Sequence, residues 1–257
     1  MPVLIGTSGW QYASWRGRFY PEKLRQADWL EHYAARFQTV EVNNAFYRLP
    51  EASTFASWAS RTPDDFVVVV KASRYLTHIK RLKEPEEPVA RFLERARHLG
   101  PKLGPVLVQL PPNLPADVER LDTALAQFPP DVRVTVEFRH PTWFTDETRE
   151  VLTRRNVALC LADSPHRDTP LWRTADWGYV RLHEGTDEPR PCYSRDALDV
   201  WARRLAELFS RGDEVYAFFN NDPQGCAPRD AAVFAGAAEA TGLAATRVPS
   251  TRELAVG

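Results

Sequence analysis

The sequence predicts one domain over residues 1–257, a closed parallel (β/α)8 barrel with some irregular βα connections. Three observations predict it. Eight short β-rich runs alternate with helical segments from end to end. No low-complexity linker or shift in composition divides the chain. The strands are apolar on one face and turn polar on the other as they proceed. That pattern argues against the main competitor, a doubly wound open sheet, whose central strands are apolar on both faces.

The runs, in order, begin with VLIGTSG at 3–9 and TVEVNNAFY at 39–47. In the second, Val40 and Val42 oppose Glu41 and Asn43. FVVVVKAS places Val68 and Val70 against Val69 and Lys71, and PVLVQLP places Val108 and Leu110 against Gln109. In RVTVEFRH, Val134, Val136 and Phe138 share one face, while Thr135, Glu137 and Arg139 share the other. VALCLAD, WGYVRLHE and EVYAFFNN complete the set; in WGYVRLHE, Val180 and Leu182 oppose Arg181 and His183. Two helices are legible from a 3.6-residue period. Residues 116–128 align Val118, Leu121, Leu125 and Phe128; residues 194–212 align Leu198, Trp201, Leu205 and Leu208. Ser194 is the expected N-cap of the latter and Gly212 its expected stop. Residues 164–176 lack a helical pattern and read as an irregular crossover.

Composition narrows the function classes. A net charge of −1 gives no general pull toward nucleic acid. The apolar runs fall far short of the roughly 20 residues that span a bilayer. No basic segment followed by an apolar run opens the chain, so no secretory signal is expected. Cys160, Cys192 and Cys226 are odd in number and scattered, which suggests neither a disulfide framework nor a zinc knuckle. The expected compartment is the cytoplasm.

In a closed barrel, Glu41, Glu137 and Asp163 would point inward near the C-terminal mouth, with Lys71, Arg139 and Arg181. Buried ions cost several kcal/mol each, by order of magnitude, unless paired or held for a ligand. The signs balance, so a paired network is expected.

Several segments together carry a family likeness: GTSGWQYASWRGRFYP, VEVNNAFYRLP, VKASRYLTH, QLPPN, VEFRHPTWF and FFNND, in this order along nearly the whole chain. The sequence resembles the YecE-like family, domain of unknown function 72. The resemblance implies a TIM barrel and supplies no established reaction. It departs from the family at RLHEG, where a shorter Arg-aromatic-His-Gly turn is expected, and at PQGCAPRDA after FFNND, where a small-residue, Asn-containing turn is expected.

The residue types suggest roles. Glu137 and His183 are candidates for proton transfer, His183 because its ordinary pKa lies near neutrality. Glu41 is the second carboxylate that a retaining glycosidase would need about 5 Å from Glu137. Lys71, Arg139 and Arg181 are expected to hold an anion, and Lys71 could also serve as an amine nucleophile. Asn43, Asn44, Asn220 and Asn221, near Thr7 and Gln109, can read polar groups by donating and accepting together, though Asn also suits turns. Of Trp10, Trp15, Phe46, Tyr47, Trp143 and Phe144, two or three are expected at a ligand, Trp10 and Trp143 foremost. The stretch with Arg74, His78, Lys80, Arg81 and Lys83 reads as a solvated loop or a phosphate-binding surface. Asp163 and His166, with Glu137 and His183, form a weak metal-ligand pattern like that of xylose-isomerase-like barrels. No metal and no cofactor is expected, because the neighbouring cations oppose one. No phosphate-loop, nucleophile-elbow or zincin motif is present.

The expected function is therefore a hydrolase, lyase or isomerase acting on a small phosphorylated or carboxylated ligand by general acid/base chemistry. The alternatives are a non-catalytic nucleotide or single-stranded nucleic-acid binder and a metal-dependent hydrolase or isomerase. The expected partner is the small anion, with nucleic acid less favoured and no membrane; the sequence gives no oligomeric state.

Overall fold

The computed structural model describes residues 1–165 and 169–254. Its strands are β1 (Pro2–Thr7), β2 (Thr39–Val42), β3 (Val67–Lys71), β4 (Leu103–Gln109), β5 (Val134–Glu137), β6 (Ala158–Asp163), β7 (Trp177–Leu182), β8 (Glu214–Phe219) and the two-residue β9 (Ala244–Ala245). All pair in parallel, in the order β2-β3-β4-β5-β6-β7-β8-β1-β9. Each of the eight long strands sends its C-terminal end to the same side.

The arrangement is barrel-like, but the expected closed eight-stranded sheet is not what forms. The ladder is open between β1 and β2, which share a single bridge, Ser8 with Glu41. Side chains and a ninth strand occupy the seam instead. At the bottom β9 pairs with Pro2 and Val3 of β1. Above it, the Ile5 amide donates to Thr246 Oγ1 at 3.1 Å. Higher still, the buried Tyr33 hydroxyl accepts from the Thr7 amide at 3.0 Å and donates to the Thr39 carbonyl at 3.0 Å. A phenol thus joins two backbone groups that a ladder would have joined directly. The strands are close here: a Cβ on Gly6 would fall 2.4 Å from the Thr39 oxygen, so no larger residue fits.

Two apolar layers follow from the strand alternation. One lies between sheet and helices and includes Val40, Val68, Val108, Val136 and Leu182. The other fills the interior, with Leu4, Val69, Leu107, Cys160, Tyr179 and Phe218. The ionic residues sit on this interior face, above the apolar plug.

Several sequence boundaries shift. The run at 39–47 stops as a strand at Val42, and Asn44–Tyr47 forms a short helix, α1. The two periodic helices are Val118–Leu125 and Arg195–Leu208. Asp117 caps the former by accepting from the Arg120 amide, and Ser194 caps the latter, accepting from the Ala197 amide at 3.3 Å. Gly212 does not stop that helix, which ends four residues earlier. The basic stretch after β3 winds into a π-helical turn, Tyr75–Ile79. The described part of the crossover between β6 and β7 holds no helix. Among the described residues, no helix is long and apolar enough to cross a membrane.

The cysteine expectation is corrected. Cys192 and Cys226, 34 residues apart, form a disulfide, while Cys160 stays free in the interior. The fold brings the loop after β7 against the start of the helix Cys226–Ala240, a proximity that spacing alone does not disclose.

Tyr33→Phe tests the seam. It strands a buried amide and a buried carbonyl, so unfolding free energy should fall by about 2–4 kcal/mol in urea titrations. A loss below about 0.5 kcal/mol would mean that the phenol is not what joins β1 to β2.

Candidate functional site

The interior residues at the strand ends converge on one cleft of about 620 Å³, lined among others by Asn43, Lys71, Gln109, Arg139, Arg181 and Asn220. At its floor lies the Arg181 guanidinium, 2% exposed and clamped between two fully buried carboxylates. Its Nη2 donates to Glu41 Oε1 at 2.7 Å and its Nη1 to Glu137 Oε2 at 2.6 Å. Glu41 Oε2 accepts from the Tyr179 hydroxyl at 2.6 Å. Glu137 Oε1 accepts from Arg139 Nε at 2.9 Å. Burial alone would raise the Glu137 carboxyl, but Arg181, His183 and Arg139 outweigh it and hold it well below the usual carboxylate range.

Around this floor the cations are linked through an amide. Gln109 Oε1 accepts from Lys71 Nζ and from Arg139 Nη2, both at 2.8 Å. Lys71 Nζ also lies 4.2 Å from the centre of the Phe46 ring. Burial and then the Arg181 charge pull the Lys71 amine down to about 8, against the opposing pull of Glu41 and Glu137. His78, edge-on to Phe46, is lowered to about 4 by burial and by Lys71.

His183 is oriented rather than free. Its Nδ1 is 3.0 Å from the Asn220 amide nitrogen, which donates and so places the ring proton on Nε2. That Nε2 faces Glu137 Oε1 at 3.5 Å. Burial, then Arg181, lowers the imidazole pKa, which favours the neutral ring.

Among the residues expected at the site, Glu41, Glu137, Lys71, Arg139, Arg181, His183, Gln109, Asn43 and Asn220 come together. Others do not. Thr7 faces outward, its Oγ1 donating to the Gly9 carbonyl at 2.6 Å. Trp10 is 4% exposed and packs edge-on against Trp58. Trp143 stacks on Phe138 and donates to the Leu114 carbonyl at 2.8 Å. Both tryptophans belong to the outer core. Asp163, expected to point inward, has the phase of Leu161 and hydrogen-bonds Tyr193 outside the sheet. Asn221 turns to Asp230 and the Pro191 carbonyl. His166 lies outside the described residues. Among the described residues no three His, Cys, Asp or Glu side chains gather as a metal site. The basic stretch divides: Arg74 and His78 reach the cleft, while Lys80 pairs with Glu84 and Arg81 donates to Asn113.

Two cleft residues went unread in the sequence, Tyr12 and Asp222. Burial pushes the Asp222 carboxyl up to about 7, against the pull of Tyr12 and Arg181, and burial also raises the Tyr12 phenol. The only sequence signal was Asp222's position in FFNND, where an Asp before Pro reads as turn chemistry. Several covered polar atoms without a hydrogen bond face this region: Ser8 Oγ, Asn43 Oδ1, Arg181 Nε and Asp222 Oδ1. Such atoms ordinarily find a partner; His183 Nε2 belongs to the same group, while Asn221 Oδ1 and Arg247 Nε are unsatisfied elsewhere.

Comparison with known proteins agrees with the motifs. The model of the family described as "Protein of unknown function DUF72" matches residues 4–253. The UPF0759 protein YecE of Escherichia coli K12 is 30% identical over 228 residues, covering 80% of this chain and 81% of its own. UPF0759 protein YunF of Bacillus subtilis is 24% identical over 87% of this chain and 90% of its own. The crystal structure of a DUF72 family protein (TM1631) from Thermotoga maritima superposes with a TM-score of 0.82 at 30% identity, covering 93% of this chain and all of the other. Since the match runs almost from end to end in both sequence and structure, this chain belongs to the DUF72 family.

Proposed function

We propose that this protein is an enzyme that takes a small phosphorylated or carboxylated substrate into the cleft and acts on it by general acid/base chemistry, without a metal. One observation carries the reading. Three cations, Lys71, Arg139 and Arg181, stand against the carboxylates of Glu41 and Glu137, and burial biases the third carboxyl, Asp222, toward its neutral form, which leaves positive charge at the open end of the cleft. An anion entering there supplies the missing charge in a region already shielded from water. Lys71 and Arg139 are the direct anion ligands in this reading, with Gln109, Asn43 and Asn220 reading neighbouring hydroxyl or amide groups.

Glu41 and Glu137 serve to hold Arg181, since each is committed to that guanidinium. Glu137, held as an anion by its neighbours, is poorly suited to donate a proton. The arrangement also disfavours a retaining glycosidase, which needs one of the pair as an uncommitted acid. His183 positions Glu137 more readily than it moves protons, because both of its nitrogens face polar partners. Metal independence is supported by the outward turn of Asp163 and by the cations, which repel a divalent ion. A cytoplasmic location belongs to the same reading. One feature weighs against it: the Cys192–Cys226 bond is of a kind uncommon in reducing compartments.

Two expected outcomes follow. Sulfate binding, followed calorimetrically, should weaken at least about tenfold in Arg139→Ala with far-ultraviolet circular dichroism unchanged, the cost of one charge-assisted contact; equal affinity in both proteins removes the anion reading. Lys71→Met should stabilise the protein at pH 7 by up to about 3 kcal/mol, because the depressed amine costs folding free energy. Between pH 8 and 10.5 the folded wild type binds fewer protons than the unfolded chain, so its stability rises and the gap to Lys71→Met closes. A gap independent of pH across that window contradicts the depressed amine.

A further inference from the structure

Asp222 lies three residues beyond β8, in a segment held from several sides. Its own carbonyl accepts from the fully buried Trp15 indole at 3.2 Å. Arg18 donates to Gln224 through both the backbone and the side-chain oxygen. Asn221 is held by Asp230, and Cys226 is bonded to Cys192. Loops this tightly held place a side chain with the accuracy that proton transfer requires.

The carboxyl group that this segment presents to the cleft is short of donors. Oδ1 is covered and receives no hydrogen bond. The Tyr12 phenol lies against the carboxyl, yet its single proton goes to the Ser8 carbonyl at 2.5 Å. With that proton already engaged, the phenol's pull on the Asp222 carboxylate offsets only part of the cost of burying it. The charges facing it from neighbouring elements are Glu41 on β2, Arg181 on β7, and Lys71 and Arg139 across the cleft, with Tyr33 behind. Arg181 would favour the carboxylate, but two other carboxylates already engage it, and Glu41 opposes a third. A bound anion opposes it further. The cleft therefore combines fixed cations with one carboxyl that has reason to keep its proton once the ligand is in place.

Building on the anion reading above, we propose that Asp222 is the proton-transfer residue of the cleft, a carboxylic acid when an oxyanion is bound, and that the substrate carries a proton-accepting oxygen beside its anionic group. In the step, the Asp222 O–H bond breaks as an O–H bond forms on the ligand oxygen. The bonding pair remains on the carboxylate, which regains a proton from water. Neighbouring Lys71 and Arg139 keep the ligand in place and take no part in the transfer. A carboxyl near neutrality matches this task, being able to give and recover a proton at ordinary pH.

The test uses sulfate, which does not itself titrate near neutrality. Calorimetry in buffers of different ionisation heat measures protons taken up on binding. Wild-type protein should take up a fraction of a proton with a maximum near pH 7, and Asp222→Asn should bind sulfate at least as tightly while losing the Asp222 share of that uptake. Asp222→Glu should restore part of it, which a merely structural side chain would not do. Uptake near pH 7 that is equal in Asp222→Asn and wild type overturns the proposal, since the Lys71 amine contributes the same amount to both. Should wild-type protein bind no sulfate, the anion reading fails on its own. The carboxylic-acid carbonyl band in the infrared difference between wild type and Asp222→Asn then decides for Asp222: its presence at pH 6 supports a retained proton, and its absence overturns the assignment.

Discussion

The clamp of Glu41 and Glu137 on Arg181 is the constraint around which the upper half of the molecule is organised. A guanidinium 2% exposed is tolerable only where its charge is met by fixed acceptors. Here the acceptors come from β2 and β5, while the cation comes from β7, so one group ties together three strands distributed around the ring. The same contacts set the electrostatics of the cleft. Because Glu41 is engaged by Arg181, and Glu137 is shared between Arg181 and Arg139, the three cations are one negative charge short, and Lys71 rests on the neutral Gln109 amide. Gln109 spaces Lys71 and Arg139 with one shared oxygen. Burial then does the rest, lowering the Lys71 amine and raising the Asp222 carboxyl toward each other near neutrality.

Much of this was legible before any coordinates, for a simple reason. A strand alternates its side chains with a fixed period of two, so Glu137 and Arg139, or Arg181 and His183, had to share a face. Apolar valines on the opposite face identified the helix-covered side, and the polar set was left for the interior. The same rule also exposes the errors. Asp163 has the phase of Leu161, so the period of two along ALCLAD turns it outward. Thr7, Trp10 and Trp143 lie close to strand ends in sequence, which fixes a neighbourhood and not a direction. Trp143 in particular follows Phe138 onto the helix side and stacks there.

What the pattern could not carry was of two kinds. Pairings between distant segments depend on how loops fold back, and the Cys192–Cys226 bond is one of these. Departures from regular backbone are the other. FFNND reads as a turn, and it is one; nothing local says that its Asp lines the cleft beside Tyr12. The break in the ladder between β1 and β2 is equally silent, because both strands have ordinary sequences. It takes the buried Tyr33 hydroxyl, contributed by a helix outside the sheet, to reveal that the two edges meet through an intermediary.

That intermediary changes what sets the girth of the ring. Where strands pair directly, the spacing between neighbours is fixed by peptide geometry at about 4.8 Å. At this single joint it follows instead from the reach and tilt of an aromatic side chain, and so from how the helix Trp29–Ala34 rests on its surroundings. The width of the ring beside Glu41 is thus set jointly by the Ser8–Glu41 bridge and by an aromatic strut, so the packing of an outer helix helps to fix the geometry of the opening.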